Sequence, residues 1–168
     1  LNAVYNKLRK LKDIDYDCPT SDIDFIPIQQ RQLSYLSMEQ IEEILEIAKT
    51  SSNDSIWWTA QICLRTGARW GEAENLTKKQ LHNESITFEF TKSKKIRSVP
   101  LDKLFYDQLL NYCKDKSPTD RIFTNTLKTF SGRLENSDLK LPKGQKTHIL
   151  RHTYASHFIM NGGDIVTL

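Results

Sequence analysis

The sequence predicts an α+β fold, mainly helical, with a small antiparallel β-sheet of about three strands. Apolar residues recur at spacings of three and four in several separate stretches, the period of a helix with one buried face. One stretch, Ile86-Thr87-Phe88-Glu89-Phe90-Thr91, alternates apolar and polar with period two, as a half-buried strand does. A hydrophobic content of 38% over 168 residues is enough to build one core at this size.

In chain order, residues 2–12 read as a helix, with Val4, Leu8 and Leu11 on one stripe and Lys7, Arg9, Lys10 and Lys12 between them. It is short for an independent helix and reads as the last helix of something upstream. Residues 13–33 have no period, are rich in Asp, Ser and Gln, and carry Pro19 and Pro27, which makes them a linker. Ser37-Met38-Glu39-Gln40 is a capping box, and the helix it opens puts Ile41, Ile44, Leu45 and Ala48 on one face. A helix over about 54–66 holds Trp57, Trp58, Ile62, Cys63 and Leu64, too apolar for a surface element, and Gly67 stops it.

The next helix is expected from near Arg69 to about Leu76, with Arg69 in its first turn. The strand over 86–91 returns through Ile96-Arg97-Ser98-Val99, and residues 76–81 supply a third strand that a turn at His82-Asn83-Glu84 joins to it. Lys92 to Lys95 then form the hairpin tip. Asp102 caps a helix over about 103–115, with Leu104, Phe105, Leu109 and Tyr112 facing inward, and Ser117-Pro118 ends it. Arg121-Ile122-Phe123 is a short buried segment, residues 126–136 a helix, and Leu141-Pro142-Lys143-Gly144 a loop. The last clear helix runs from about Thr147 to Met160 and ends at Asn161-Gly162-Gly163, after which Asp164 can cap another.

A net charge of +3, from 24 basic and 21 acidic residues, excludes a histone-like polycation. A nucleic-acid partner therefore requires basic groups focused on one face. Cys18, Cys63 and Cys113 are odd in number, and no Cys-x-x-Cys occurs. Free thiols in a reducing, cytoplasmic setting are expected. No apolar run approaches the roughly 20 residues that span a bilayer, and the start has no signal-peptide pattern, so no membrane partner is expected. The chain does not begin with Met and is expected to be an excised piece. Phosphate-binding Gly-x-x-x-x-Gly-Lys, dinucleotide Gly-x-Gly-x-x-Gly and hydrolase Gly-x-Ser-x-Gly patterns are absent from the sequence.

Three stretches can carry chemistry. Arg69 follows Gly67-Ala68 at a helix start, where backbone N–H groups and the helix dipole both favour an anion. Glu72, three residues on, can equally pair with it as a plain surface ion pair. Lys92, Lys94, Lys95 and Arg97 cluster at the hairpin, either as edge-protecting charges or as a loop that follows a phosphodiester backbone. His148 and Arg151 share one helix face, where an arginine can hold two phosphoryl oxygens while a histidine titrates near neutral pH. His148 and His152 also have a metal-ligand spacing, but Ile149 stands where a zinc protease helix has Glu, and no carboxylate nearby completes a site. His82 and His157 read as surface or cap histidines.

Together these pieces resemble the tyrosine recombinases, and within them the phage integrases. The family's first arginine box looks like Leu64-Arg65-Thr66-Gly67-Ala68-Arg69-Trp70-Gly71-Glu72-Ala73, with Leu76 following. Its hairpin lysine, eight residues before a proline, is matched by Lys92 before Pro100. Its His-x-x-Arg box looks like Thr147-His148-Ile149-Leu150-Arg151-His152-Thr153, and the glycine that ends that helix is matched by Gly162 or Gly163. Pattern, order and spacing agree over about residues 36–168. Residues 34–168 are thus similar to the family's helical catalytic domain, cut short at its C-terminal end. Residues 1–33 are similar to the end of its DNA-clamping, core-binding N-terminal domain and the interdomain linker.

The resemblance implies site-specific recombination and integration on duplex DNA by phosphodiester transesterification. Arg69 and Arg151 would hold the non-bridging oxygens of the scissile phosphate, a kind of donor whose loss costs roughly 3 kcal/mol in the transition state. Lys92 would protonate the departing 5′ oxygen and His148 would assist proton transfer. Glu72 would orient the site from behind, and Lys94, Lys95 and Arg97 would bind DNA. A tyrosine would form a 3′-phosphotyrosine intermediate. The scheme requires no cofactor and no metal. The full-length protein would act as a tetrameric synapse on its attachment sites, and the fragment is expected to be a monomer.

The family places its tyrosine after a Leu-Gly-His segment, and Tyr154 is in the wrong place for it. The nucleophile is therefore expected beyond Leu168, and the fragment as given is expected to be inactive. Two other readings stay open at this point: a catalytically inactive DNA-binding or regulatory relative, and a helical interaction module whose charges are only a solvated surface.

Overall fold

The computed structural model describes residues 2–16, 18, 34–89, 96–141 and 145–164. The chain divides into two compact units, Leu1–Gln32 and Leu33–Leu168. In the first, α1 spans Asn2–Lys10, and the rings of Tyr5 and Tyr16 meet edge to face at 5.8 Å. The expected stripe is not a buried one: Val4 and Leu11 are 62% and 60% exposed.

The second unit is mainly helical with a three-stranded sheet. Its helices are α2 (Met38–Lys49), α3 (Ser55–Thr66), α4 (Trp70–Glu74), α5 (Lys103–Tyr112), α6 (Leu127–Glu135) and α7 (His148–Met160). The strands β1 (Leu81–His82), β2 (Ser85–Phe88) and β3 (Arg97–Pro100) form one antiparallel sheet in the order β1-β2-β3. Ile86 stands opposite Val99 and Phe88 opposite Arg97. Both Ile86 and Phe88 are buried, which is the expected alternation.

Local signals account for several boundaries. The Ser37 hydroxyl accepts from the Gln40 N–H and the Gln40 side chain accepts from the Ser37 N–H, closing the capping box that starts α2. Asp102 caps α5 by accepting from the Phe105 N–H. Gly67 ends α3 in the left-handed region with φ 62°.

Other boundaries differ from the sequence expectation. Arg69 is the N-cap of α4, with extended backbone, and not a first-turn residue. The third strand is Leu81–His82 alone, because residues Lys78–Gln80 form a 3-10 turn in which the Gln80 side chain accepts from the Thr77 N–H and hydroxyl. The hairpin turn is Asn83-Glu84, both at positive φ, as a two-residue turn of matching twist requires. Leu104 is 71% exposed. Phe105 and Leu109 bury one stripe of α5, and Leu104 lies a helical step to its side. Ile122 and Phe123 are buried, but Arg121 is exposed.

The core runs through α2, α3, α4, the sheet, α5, α6 and α7, with Ile44, Ile62, Leu76, Ile86, Leu109, Phe130 and Leu150 at 0% exposure. Trp70 stacks on Phe130 at 4.4 Å, which fastens α4 to α6. Cys63 and Cys113 are buried thiols within this core. No helix among the described residues is long and apolar enough to cross a membrane. Lys92, Lys94, Lys95 and residues 142–144 and 165–168 lie outside the described residues.

Candidate active site

The left-handed turn at Gly67 ends α3 and redirects the chain into α4 two residues later. That places Arg69 at the N-cap of α4, with its side chain 40% exposed. Glu72 folds back on it: its carboxylate accepts from the Arg69 N–H at 3.0 Å and from Arg69 Nη1 at 2.9 Å. Arg97, the first residue of β3, donates Nη2 to the same carboxylate at 2.9 Å. Burial raises the Glu72 pKa. The Arg69 amide, the Arg69 guanidinium and Arg97 outweigh that and hold the carboxyl below its usual range. Glu72 is thus ionised near neutral pH and fixed from three sides.

The second half of the site comes from α7. Thr147 is the N-cap, His148 is the exposed first residue, and Arg151 is half-buried one turn on. Arg151 Nη1 donates to the Gly67 carbonyl at 2.5 Å, so the end of α3 orients it. Arg69, Trp70, Thr147, His148 and Arg151 line one recess. Arg151 also lines an adjoining cavity with Arg97, Gly67, Pro100, Tyr154 and Phe158. The structure therefore brings Arg69, His148 and Arg151 together, with Arg97 and Glu72 beside them.

The electrostatics of this group favour an anion. Burial first, and then the charges of Arg69 and Arg97, push the Arg151 pKa below its ordinary value. Arginine nonetheless stays protonated, so Arg151 is a half-buried cation beside two others, offset in part by Glu72. Among the described residues no carboxylate ion-pairs with Arg151. A phosphate at the mouth of this narrow recess would offset that charge by accepting from the guanidinium N–H donors. His152 faces a different setting: burial, His148 and Arg151 all lower its pKa, so it is neutral near pH 7. Among the described residues no three His, Cys, Asp or Glu side chains gather as metal ligands.

Sequence reasoning missed three supports of the site. The Thr153 hydroxyl accepts the buried Leu36 N–H at 3.0 Å and itself donates to the Ile149 carbonyl. His157, expected as a surface or cap histidine, is half-buried, with Nε2 3.0 Å from the Leu36 carbonyl and its ring edge-on to Tyr35. These two side chains tie α7 to the segment that leads into α2. Glu74 is a buried carboxylate that accepts from the Thr126 N–H and hydroxyl, the Leu127 N–H and the Trp70 indole, joining α4 to the start of α6. The partners of these side chains lie far away in sequence, so no local pattern announces them.

The family model of the phage integrase family matches residues 34–168. The chain belongs to the phage integrase family. Among its relatives, the integrase of Haemophilus phage HP1 (strain HP1c1) is 39% identical over 168 residues, covering 100% of this chain and 48% of that protein. The integrase of Escherichia phage 186 is 38% identical over 166 residues, covering 99% of this chain and 48% of that protein. Among solved structures, the catalytic domain of bacteriophage HP1 integrase superposes with a TM-score of 0.71 at 41% identity, covering 81% of this chain and 77% of that one. The Tn1549 transposon integrase in complex with transposon right end DNA has a TM-score of 0.73 at 17% identity, covering 97% of this chain and 65% of that one, a likeness of fold alone. This integrase-family chain spans about half the length of the curated relatives it matches.

Proposed function

We propose that this chain forms the phosphate-holding part of a site-specific recombinase that acts on duplex DNA. The observation that carries the reading is the recess shared by Arg69, His148 and Arg151, in which the Arg151 charge is offset only in part. In this reading both guanidinium groups take non-bridging oxygens of one phosphodiester and stabilise the charge that develops during transesterification. His148, exposed at the mouth of the recess, moves a proton at the same phosphate. Lys92 is assigned the general-acid role at the departing 5′ oxygen, and Lys94 and Lys95 the adjoining DNA backbone.

The covalent step is attack by a tyrosine to give a 3′-phosphotyrosine and a free 5′ hydroxyl, with later rejoining by the reverse reaction. Tyr154 is the tyrosine of α7, and its ring is packed against Gly67 and stacked on Phe158 at 6.0 Å. The reading therefore does not assign the nucleophile to Tyr154. Residues 1–33 are read as the end of a core-binding domain with its linker, and a tetrameric synapse as the working assembly of the full-length protein.

The test is to incubate the full-length protein with a duplex carrying its attachment site and trap the covalent adduct. A 3′-phosphotyrosyl adduct that Arg69→Ala and Arg151→Ala both abolish is the expected result. Salt-sensitive binding without any adduct would instead support a binding-only relative.

A further inference from the structure

Arg97 stands with Lys94 and Lys95 in the sequence, and a basic hairpin suggests that all of them meet the DNA backbone. Its side chain is directed elsewhere. The guanidinium carbon lies 4.8 Å from the centroid of the Phe88 ring, the residue directly opposite Arg97 in the β2–β3 ladder. One edge reaches Glu72 at 2.9 Å, and Nε is buried without a hydrogen-bond partner. The side chain is 29% exposed, less than the 40% of Arg69. The Phe88 ring holds one face of this planar cation and the buried Glu72 carboxylate holds one edge, so groups of the protein itself fix its direction.

The other end of the contact explains what this does. Glu72, whose side chain is 8% exposed, uses Oε1 for Arg69 Nη1, and Oε2 for both the Arg69 N–H and Arg97 Nη2. Paired with Arg69 alone, a carboxylate this buried would draw that guanidinium inward and quench the charge a phosphate needs. Shared with Arg97, it holds Arg69 by direction while leaving part of the Arg69 charge for a substrate. The same bridge pins the first residue of β3, at the base of the hairpin, to the N-cap of α4.

We propose that Arg97 is a positioning residue for Arg69, acting through Glu72, and is not a contact to the DNA backbone. This rests on the reading of Arg69 as a phosphate ligand.

The test uses the full-length protein, a duplex carrying its attachment site, single-turnover cleavage from the bound complex, and duplex affinity measured across salt concentrations. Arg97→Gln is expected to slow cleavage roughly 100-fold, the scale of a misplaced reacting group, while leaving the salt slope unchanged. Arg97→Lys, which keeps a cation beside Glu72, is expected to recover most of the rate and keeps the fold in hand if the glutamine variant is unstable. The double variant Arg97→Gln with Glu72→Gln is expected to be no slower than the slower single variant, because both act on one bridge. A salt slope that falls by about one unit in Arg97→Gln, the mark of a lost phosphate contact, overturns the proposal, as does an unchanged cleavage rate. If Arg69→Ala leaves both rate and slope intact, the phosphate reading itself fails. If Arg69→Ala abolishes cleavage while Arg97→Gln lowers the slope, the positioning role alone fails.

Discussion

Arg151 hangs on Gly67: its guanidinium donates to the carbonyl of the residue that ends α3. Tyr154, three residues on in α7, lies against the same glycine. A Cβ at position 67 would run into the Tyr154 ring, and the backbone there has φ +62°. The turn between α3 and α4 therefore aims Arg69 from one side and anchors Arg151 from the other.

Substituting Gly67→Ala tests that joint role. The left-handed backbone and the clash with Tyr154 together are expected to cost about 3 kcal/mol in urea unfolding. Duplex affinity should fall as well, because the Arg151 anchor moves with the turn. Adding Tyr154→Ala should restore part of the stability by making room, although the backbone strain remains.

Glu74 sets a pH dependence. Burial alone would raise its pKa, but the amides of Thr126 and Leu127, the Thr126 hydroxyl and the Trp70 indole hold it below the usual 4.5. The folded protein thus binds this proton less tightly than the unfolded chain does. The stabilisation is fully present above pH 4.5 and is lost as pH falls through the lower, folded value. Glu74→Gln is expected to cost about 2 kcal/mol near neutral pH and progressively less in acid, read by urea unfolding across the acidic range.

Thr153→Val removes the acceptor for the buried Leu36 N–H while keeping the shape of the side chain. A loss of about 1–2 kcal/mol is expected, with Thr153→Ser close to the parent protein. Hydrogen exchange at the Leu36 amide provides the local readout, and faster exchange in the valine variant is the predicted result.

What could be read from the sequence was what is decided locally. The Ser37 capping box, the Asp102 cap, the stop at Gly67 and the alternation of Ile86 and Phe88 each depend on residues within a few positions, and the folded chain carries all of them. The shared helix face of His148 and Arg151 was legible for the same reason, as were the motifs of the phage integrase family, whereas Arg69 lies one position before the helix in which it was expected. The Gln80 cap that shortens the third strand was also local, a Thr77/Gln80 capping box that the expected strand over 76–81 overlooked. The rest depends on distant partners: Glu74 with Thr126, Thr153 and His157 with Leu36, and Arg97 with Glu72. A periodicity reading marks such side chains as surface charge or helix filler, because the group that satisfies them arrives only when the chain folds.

The central claim is that Arg69 and Arg151 hold one phosphate. Duplex affinity measured across salt concentrations for the parent chain, Arg69→Ala, Arg151→Ala and the double variant tests it most directly. The expected result is a salt slope lower by about one unit in each single variant, with a double variant weaker than either single but by less than the sum of the two losses. Binding that keeps the same slope and affinity in both single variants would contradict the account.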